Sequence, residues 1–290
     1  MTDSTEYLVR GDNLRLAYRV ITGNRPTVVW LGGFHSDMTG TKAQVLADQA
    51  QATGGGYLRF DYFGHGESDG DFERGTISRW REDALAVIDG LTEGPLVLVG
   101  SSMGGWIACL AAIARPDRVK AMVLIAPAPD FTEKLMEPEL SAEAKAAIAR
   151  DGRWIRPSEY DDGGYPITRE LLEDGARWSI LSGAVPIDVP VRVLQGGADP
   201  DVPWTHALEL ANSLSSSDVV FTLIKDGDHR LSRSQDLERL VAAVAEARSL
   251  IELDGEGDLV SRRLARAARL RGAPNLEALA PAPWASAEEE

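Results

Sequence analysis

The stretch Leu96-Val97-Leu98-Val99-Gly100-Ser101-Ser102-Met103-Gly104-Gly105 constrains the fold of this chain more than any other. Four consecutive apolar residues mark a strand buried on both faces. They run into Gly-Ser-Ser-Met-Gly, a G-x-S-x-G pattern centred on Ser102, and an apolar run from Trp106 to Ala114 follows with the length of a helix. Strand, sharp turn and helix in that order form a nucleophile elbow, whose central residue is held in a strained backbone conformation. Neighbours without a Cβ let strand and helix approach each other. The serine hydroxyl is then left standing above the end of the sheet. Without the strand and helix, the same five residues would be an ordinary Gly-Ser loop.

The rest of the chain supplies the sheet that such a turn needs. Leu14 to Val20 alternates apolar and polar residues, as in an edge strand with one covered face. Asn24-Arg25-Pro26 has turn composition, and Thr27-Val28-Val29-Trp30-Leu31 reads as a central strand ended by Gly32-Gly33-Phe34. Lys42 to Ala52 suits a helix stopped by Gly54-Gly55-Gly56. Tyr57 to Phe60 is the next strand and leads into the glycine-rich loop Asp61-Tyr62-Phe63-Gly64-His65-Gly66-Glu67-Ser68. Ile77, Trp80, Ala84, Leu85, Ile88 and Leu91 recur at helical spacing. Pro116 closes the helix after the elbow, and Val119 to Ile125 is another buried strand.

From Pro127 to Pro190 the alternation lapses. A structureless connection of this length is unusual inside a domain. It holds the helix-like stretch Pro138 to Ala149, the turn cluster Asp161-Asp162-Gly163-Gly164, and the aromatics Trp154, Tyr160, Tyr165 and Trp178. We read it as a helical cap inserted at about residues 127–190. Strand and helix then resume: Val191 to Leu194, Trp204 to Leu214, Val219 to Ile224, Leu237 to Leu250. The expected class is α/β, a mostly parallel sheet covered on both faces, over residues 1–253. Residues 254–290 form a C-terminal extension, read as a short basic helix from Leu259 to Leu270 and a disordered tail rich in Pro, Ala and Glu.

A net charge of −15 argues against nucleic acid as a partner, since a phosphate surface would be repelled. The single cysteine, Cys109, excludes an internal disulfide and a cysteine-based metal cluster, and its apolar setting reads as a buried inert thiol. No apolar run approaches the about 18 residues of a membrane span, and no signal peptide is evident. The expectation is a soluble cytoplasmic protein without stable membrane insertion.

A serine hydroxyl needs a base to take its proton, and the base needs a third group to orient it. After an elbow of this kind the chain order is serine, acid, histidine. Of four histidines, only His206 and His229 come late enough. His206 lies inside a helix and reads as a helix-face residue. His229 follows a strand in a loop, where a parallel sheet gathers its sites, and is the expected base. Gly196-Gly197-Ala198-Asp199-Pro200-Asp201-Val202-Pro203 supplies the acid, Asp199 first and Asp201 as runner-up. Asp226 and Asp228 read as loop residues. The backbone N–H groups of Met103 and Phe34 are the expected oxyanion donors. His35 and His65 have no ligand spacing around them, and Gly64 and Gly66 precede no Lys-Ser/Thr, so neither a metal nor a cofactor is expected.

Together Gly32-Gly33-Phe34, Asp61 to Ser68, Gly100 to Gly105, Gly196 to Pro203 and Asp228-His229 resemble the α/β-hydrolase superfamily over about residues 10–250. Asp37-Met38-Thr39-Gly40-Thr41-Lys42-Ala43, Trp106, Ala111 to Pro116, Val202-Pro203-Trp204 and Asp228-His229-Arg230 are similar to the branch of mitochondrial acyl-protein thioesterases that also cleave acyl glucuronides, and to its bacterial relatives. This chain departs from that branch in showing no evident transit peptide and in its tail after Leu253. The resemblance implies a triad on Ser102, Asp199 and His229, removal of palmitoyl groups from cysteine thioesters, and hydrolysis of activated acyl esters. The expected activity is a serine hydrolase of carboxylic esters or thioesters, its partner a small acyl ester or thioester or an S-acylated protein. A peptidase or amidase, an acyltransferase, or a non-catalytic binder of the same fold are the alternatives.

Overall fold

The computed structural model describes residues 4–157 and 164–252. The chain divides into Met1–Ile251 and Glu252–Glu290, and the sheet and the site lie in the first. The extension read at 254–290, and its basic helix, fall outside the described residues, as do Tyr160 and most of the turn cluster at 161–164.

Strand β5 (Leu96–Ser101) sits inside the sheet, parallel to β3 (Asn24–Leu31) on one side and to β6 (Val119–Ile125) on the other. Its apolar run divides between two cores. Leu96 and Leu98 enter the larger core and Val97 and Val99 the smaller, each with no exposed surface, as the two-residue period of a strand requires. The sheet has eight strands in the order β1-β2-β4-β3-β5-β6-β9-β10, where β1 is Glu6–Val9, β2 Arg15–Ile21, β4 Gly55–Phe60, β9 Val191–Gly196 and β10 Val219–Ile224. All are parallel from β4 to β10, so their carboxyl ends share one rim. This is the α/β-hydrolase fold that the motifs imply.

Helices cover both faces. On one, α1 (Thr41–Thr53) and α8 (Ser234–Glu252) bury small and branched residues such as Ala43, Ala47, Leu240 and Val244 at helical spacing. On the other lie α2 (Ile77–Leu91), α3 (Met103–Ala114) and α7 (Trp204–Ser213). Thr76 caps α2 by accepting the Arg79 N–H at 3.1 Å, and Ile77, Trp80, Ala84, Val87 and Ile88 form its buried face. Helix α3 is apolar all round because it is packed on all sides: Met103 to Ala112 are all buried.

Three readings need correction. The strand at Leu14–Val20 is not the edge. The short β1 pairs antiparallel outside it, and with three of four residues exposed its sequence carries too little apolar signal to stand out. Asn24-Arg25-Pro26 is not a turn but the start of β3, with a register shift against β4 between Asn24 and Val28. The inserted segment between β6 and β9 is not wholly helical. It contains a π-turn (Thr132–Met136), α4 (Glu137–Glu139), α5 (Ala142–Asp151), the antiparallel pair β7 (Arg153–Arg156) and β8 (Tyr165–Thr168), and α6 (Arg169–Ala176). The helix read at Pro138–Ala149 breaks at Leu140. There Ser141 turns extended and its hydroxyl oxygen accepts the Ala144 N–H at 3.1 Å, starting α5 afresh.

Candidate active site

The elbow forms because its glycines let three backbones converge. A Cβ on Gly104 would stand 2.0 Å from the Leu31 carbonyl oxygen, and one on Gly100 would stand 2.3 Å from that of Gly104. With hydrogens there instead, the first turn of α3 lies against the ends of β3 and β5. Ser102 takes the strain, with φ 55° and ψ −120°. Its N–H donates to Ile125 O at 2.9 Å, which ties the turn to β6.

Ser102 Oγ lies 3.1 Å from His229 Nε2, and His229 Nδ1 lies 2.8 Å from Asp199 Oδ2. The side chain of Asp199 is fully buried and that of His229 is 23% exposed. Asp199 Oδ1 accepts the N–H groups of Asp201 and Val202, both at 2.9 Å, so its loop folds back on its own carboxylate. The loops after β9 and β10 are stitched together. Gly197 N–H donates to Ile224 O at 2.7 Å and Ala198 N–H to Gly227 O at 2.9 Å. From α1, Lys42 Nζ donates to Arg230 O, next to His229. Three side chains from three loops thus meet although the partners are 127 and 30 positions apart in the chain.

On the other side of Ser102, a Cβ on Gly33 would be 3.4 Å from Ser102 Cβ, so the loop after β3 runs close over the elbow. Phe34 is anchored there by its ring, edge-on to Phe72 at 4.9 Å and to Tyr165 at 5.5 Å. Met103 opens α3, so its N–H is among the donors a helix start leaves unpaired. The loop is held by a residue that had no assigned role. His65 is 4% exposed; its Nε2 accepts the His35 N–H at 3.2 Å and its Nδ1–H donates to Phe63 O at 3.1 Å. His35 itself has φ 56°. Asp61 secures the next turn, accepting the Met38 and Glu67 N–H groups at 2.7 and 2.8 Å. The one hint in the sequence was the placement of His65 between two glycines. Its partner His35 is 30 residues away.

This arrangement requires a neutral imidazole, and burial pulls His65 down to about 4. In the unfolded chain it takes up a proton near 6.5. The unfolded state therefore binds more protons between those values, and the contribution of His65 is complete above pH 6.5 and lost as pH falls toward 4. The loss is about 3 kcal/mol at pH 4. Asp61, pushed up to about 6 by burial, acts in the opposite sense, losing its contribution as pH rises through 6. The measurement is accordingly a difference: denaturant melts from pH 7 to 4 should show the wild type losing about 3 kcal/mol more than His65→Gln. Parallel losses would mean that His65 is not held neutral.

The family model for serine aminopeptidase S33 (Hydrolase_4) matches residues 22–162. The mitochondrial palmitoyl-protein thioesterase ABHD10 of Bos taurus is 39% identical over 242 residues, which are 83% of this chain and 79% of the relative. The chain belongs to the ABHD10 family of α/β-hydrolases. The solved structure of α/β-hydrolase domain-containing protein 10 from mouse superposes with a TM-score of 0.78 at 36% identity, covering 84% of this chain and 97% of that one. A crystal structure from Agrobacterium vitis S4 superposes with a TM-score of 0.81 at 46% identity, covering 84% and 98%. This ABHD10-family member is a hydrolase.

Its inserted segment packs on the loop after β3 and on α2 and α3. Phe131 lies 5.8 Å from the Phe34 ring and 5.7 Å from that of Trp106, while Tyr165 reaches Phe34 from β8. Trp178 is spent on attachment: its indole N–H donates to Ser78 Oγ at 2.7 Å, and its carbonyl accepts from Trp106 Nε1 at 3.3 Å. Asp174 accepts both the N–H and the hydroxyl of Ser78 at 2.7 Å. His206 lies on α7, on its buried face, with Nε2 2.8 Å from Pro129 O. Cys109 is buried, which pushes its thiol up to about 12. Asp226 pairs with Arg233, and Asp228 accepts the Leu231 N–H at 2.9 Å. Asp199, Asp201 and His229 have ligand atoms within 4.8 Å of one another, but both nitrogens of His229 and both oxygens of Asp199 already have protein partners. No helix among the described residues is long and apolar enough to cross a membrane.

Proposed function

We propose that this protein cleaves acyl thioesters and activated acyl esters through an acyl-serine intermediate, on small molecules or on S-acylated proteins. The observation that carries the reading is the unbroken path from Ser102 Oγ through His229 to Asp199, at 3.1 and 2.8 Å. His229 Nε2 takes the Ser102 proton as Oγ bonds to the acyl carbon. Asp199 Oδ2 accepts from Nδ1–H, which fixes the tautomer and balances the imidazolium that forms. The N–H groups of Met103 and Phe34 donate to the tetrahedral oxygen. Collapse expels the thiol or alcohol with the proton returned from His229. Water then attacks the acyl-serine, with His229 as base again.

The palmitoyl-protein thioesterase name of the relatives supports a thioester substrate, and the aromatic wall of Phe34, Phe131 and Tyr165 suits an apolar acyl chain. A fluorophosphonate probe is expected to label the wild type and not Ser102→Ala. Labelling of Ser102→Ala at the wild-type rate would put the nucleophile elsewhere. The S33 family description favours a second reading, an aminopeptidase. Assay against an S-palmitoyl peptide, p-nitrophenyl acyl esters and aminoacyl anilides separates the two. Turnover of the anilides alone would replace our reading with the second.

A further inference from the structure

Gln195 is the last side chain of β9 before its closing glycine, and it has no exposed surface. Val191 and Val193, at the same strand period, are packed in the larger core, so an apolar residue is what this position asks for. Instead the two N–H bonds of Gln195 Nε2 are shared among three oxygens: Val202 O at 3.0 Å, Gly196 O at 3.2 Å and Asp199 Oδ2 at 3.2 Å. Its own carbonyl, Oε1, is buried without a partner among the described residues. A flipped amide would aim that carbonyl at three acceptors, so the orientation is settled by the network. Leaving a buried carbonyl unpaired is costly and needs a return elsewhere. The return is visible at Asp199: Oδ2 is the oxygen that receives the Nδ1–H of His229.

We propose that Gln195 is a positioning residue for the proton relay, whose amide N–H holds Asp199 Oδ2 in line with His229 and restrains the basicity of that carboxylate. This rests on the relay assigned under Proposed function. An N–H donor on Oδ2 draws electron density from it, so the imidazolium at 229 is stabilised less than by a bare carboxylate. It also fills the remaining lone-pair direction of Oδ2, while Asp201 and Val202 N–H groups occupy Oδ1, so the carboxylate cannot rotate away. Among the described residues, the carboxylates of Asp199 and Asp201 have oxygens within 4.8 Å of a His229 nitrogen, and from α1 the Lys42 ammonium stands beside His229 on Arg230 O, with Arg230 and Asp228 around it.

Gln195→Met keeps the bulk and removes the donor. The acid limb of its kcat/KM profile should move up by about 0.5 pH unit or more, the size of one lost hydrogen bond to a carboxylate. At the plateau, kcat should fall about 3- to 30-fold with KM within about twofold, because the defect lies in the chemistry and not in acyl binding. A residue that merely supports the loop would lower stability without moving the limb. Selective 15N labelling of glutamine gives a second measurement on the wild type, in case the variant does not fold. The Gln195 side-chain amide should respond to pH with the midpoint of the acid limb. An acid limb of Gln195→Met within about 0.2 unit of wild type overturns the proposal, as does an amide that ignores the titration. Fluorophosphonate labelling separates the two levels of failure. If wild-type Ser102 does not label, the relay itself is wrongly assigned; if it labels and Gln195→Met keeps the wild-type profile, only the role of Gln195 falls.

Discussion

Replacing His229 with alanine is expected to lower kcat on acyl esters by about 10⁵- to 10⁶-fold, and adding Ser102→Ala to it should lower kcat hardly further, because relay members act as a unit. The reason is in the contacts: His229 is the only side chain that touches both Ser102 Oγ and Asp199 among the described residues. The loss should be smaller where the leaving group is a thiol. A thiolate departs with less help from an acid than an alkoxide does, since free thiols ionise near pH 8.5. Steady-state kinetics on paired alkyl ester and alkyl thioester substrates of the same acyl chain measure both. A single variant within tenfold of wild type would remove His229 from the mechanism.

Gly104→Ala is expected to cost about 3 kcal/mol or more, at the upper end for an overpacked position, and to lower Tm by roughly 6–12 °C in a chain of this size. The added Cβ would lie 2.0 Å from Leu31 O and 2.4 Å from Gly32 O. Both are backbone atoms at the end of a central strand, so no flexible side chain can move to make room. Relief requires α3 and the loop carrying Phe34 to separate, which also draws the Met103 and Phe34 N–H groups apart. Gly183→Ala is the matched control, since nothing lies within 4 Å of its added Cβ. Thermal melts of the two variants decide the matter, and equal melting temperatures would show that the close approach at the elbow is not needed.

Much of this was legible because it is local. The run from Leu96 to Val99 is apolar at every residue, and in the structure each side chain is buried. The span of α2 follows from the helical recurrence of its apolar residues. Ser102 is identified by its two flanking glycines, and His229 and Asp199 by their loops at the ends of parallel strands. Elements with weak periodicity were harder. The pair β7 and β8 has four residues on each side, too few to register a period, and β1 exposes most of its residues.

The amino-acid order was enough for the layered parallel sheet, for the turn that lifts Ser102, and for picking out Asp199 and His229 as the side chains that come to it. All of these depend on residue type and spacing along a few turns of chain. That His65 pins the loop over the elbow, and that Gln195 reaches the carboxylate behind the histidine, came from long-range packing. A buried polar side chain is given its role by whichever distant atoms the fold sets beside it, and nothing in the neighbouring residues encodes that meeting.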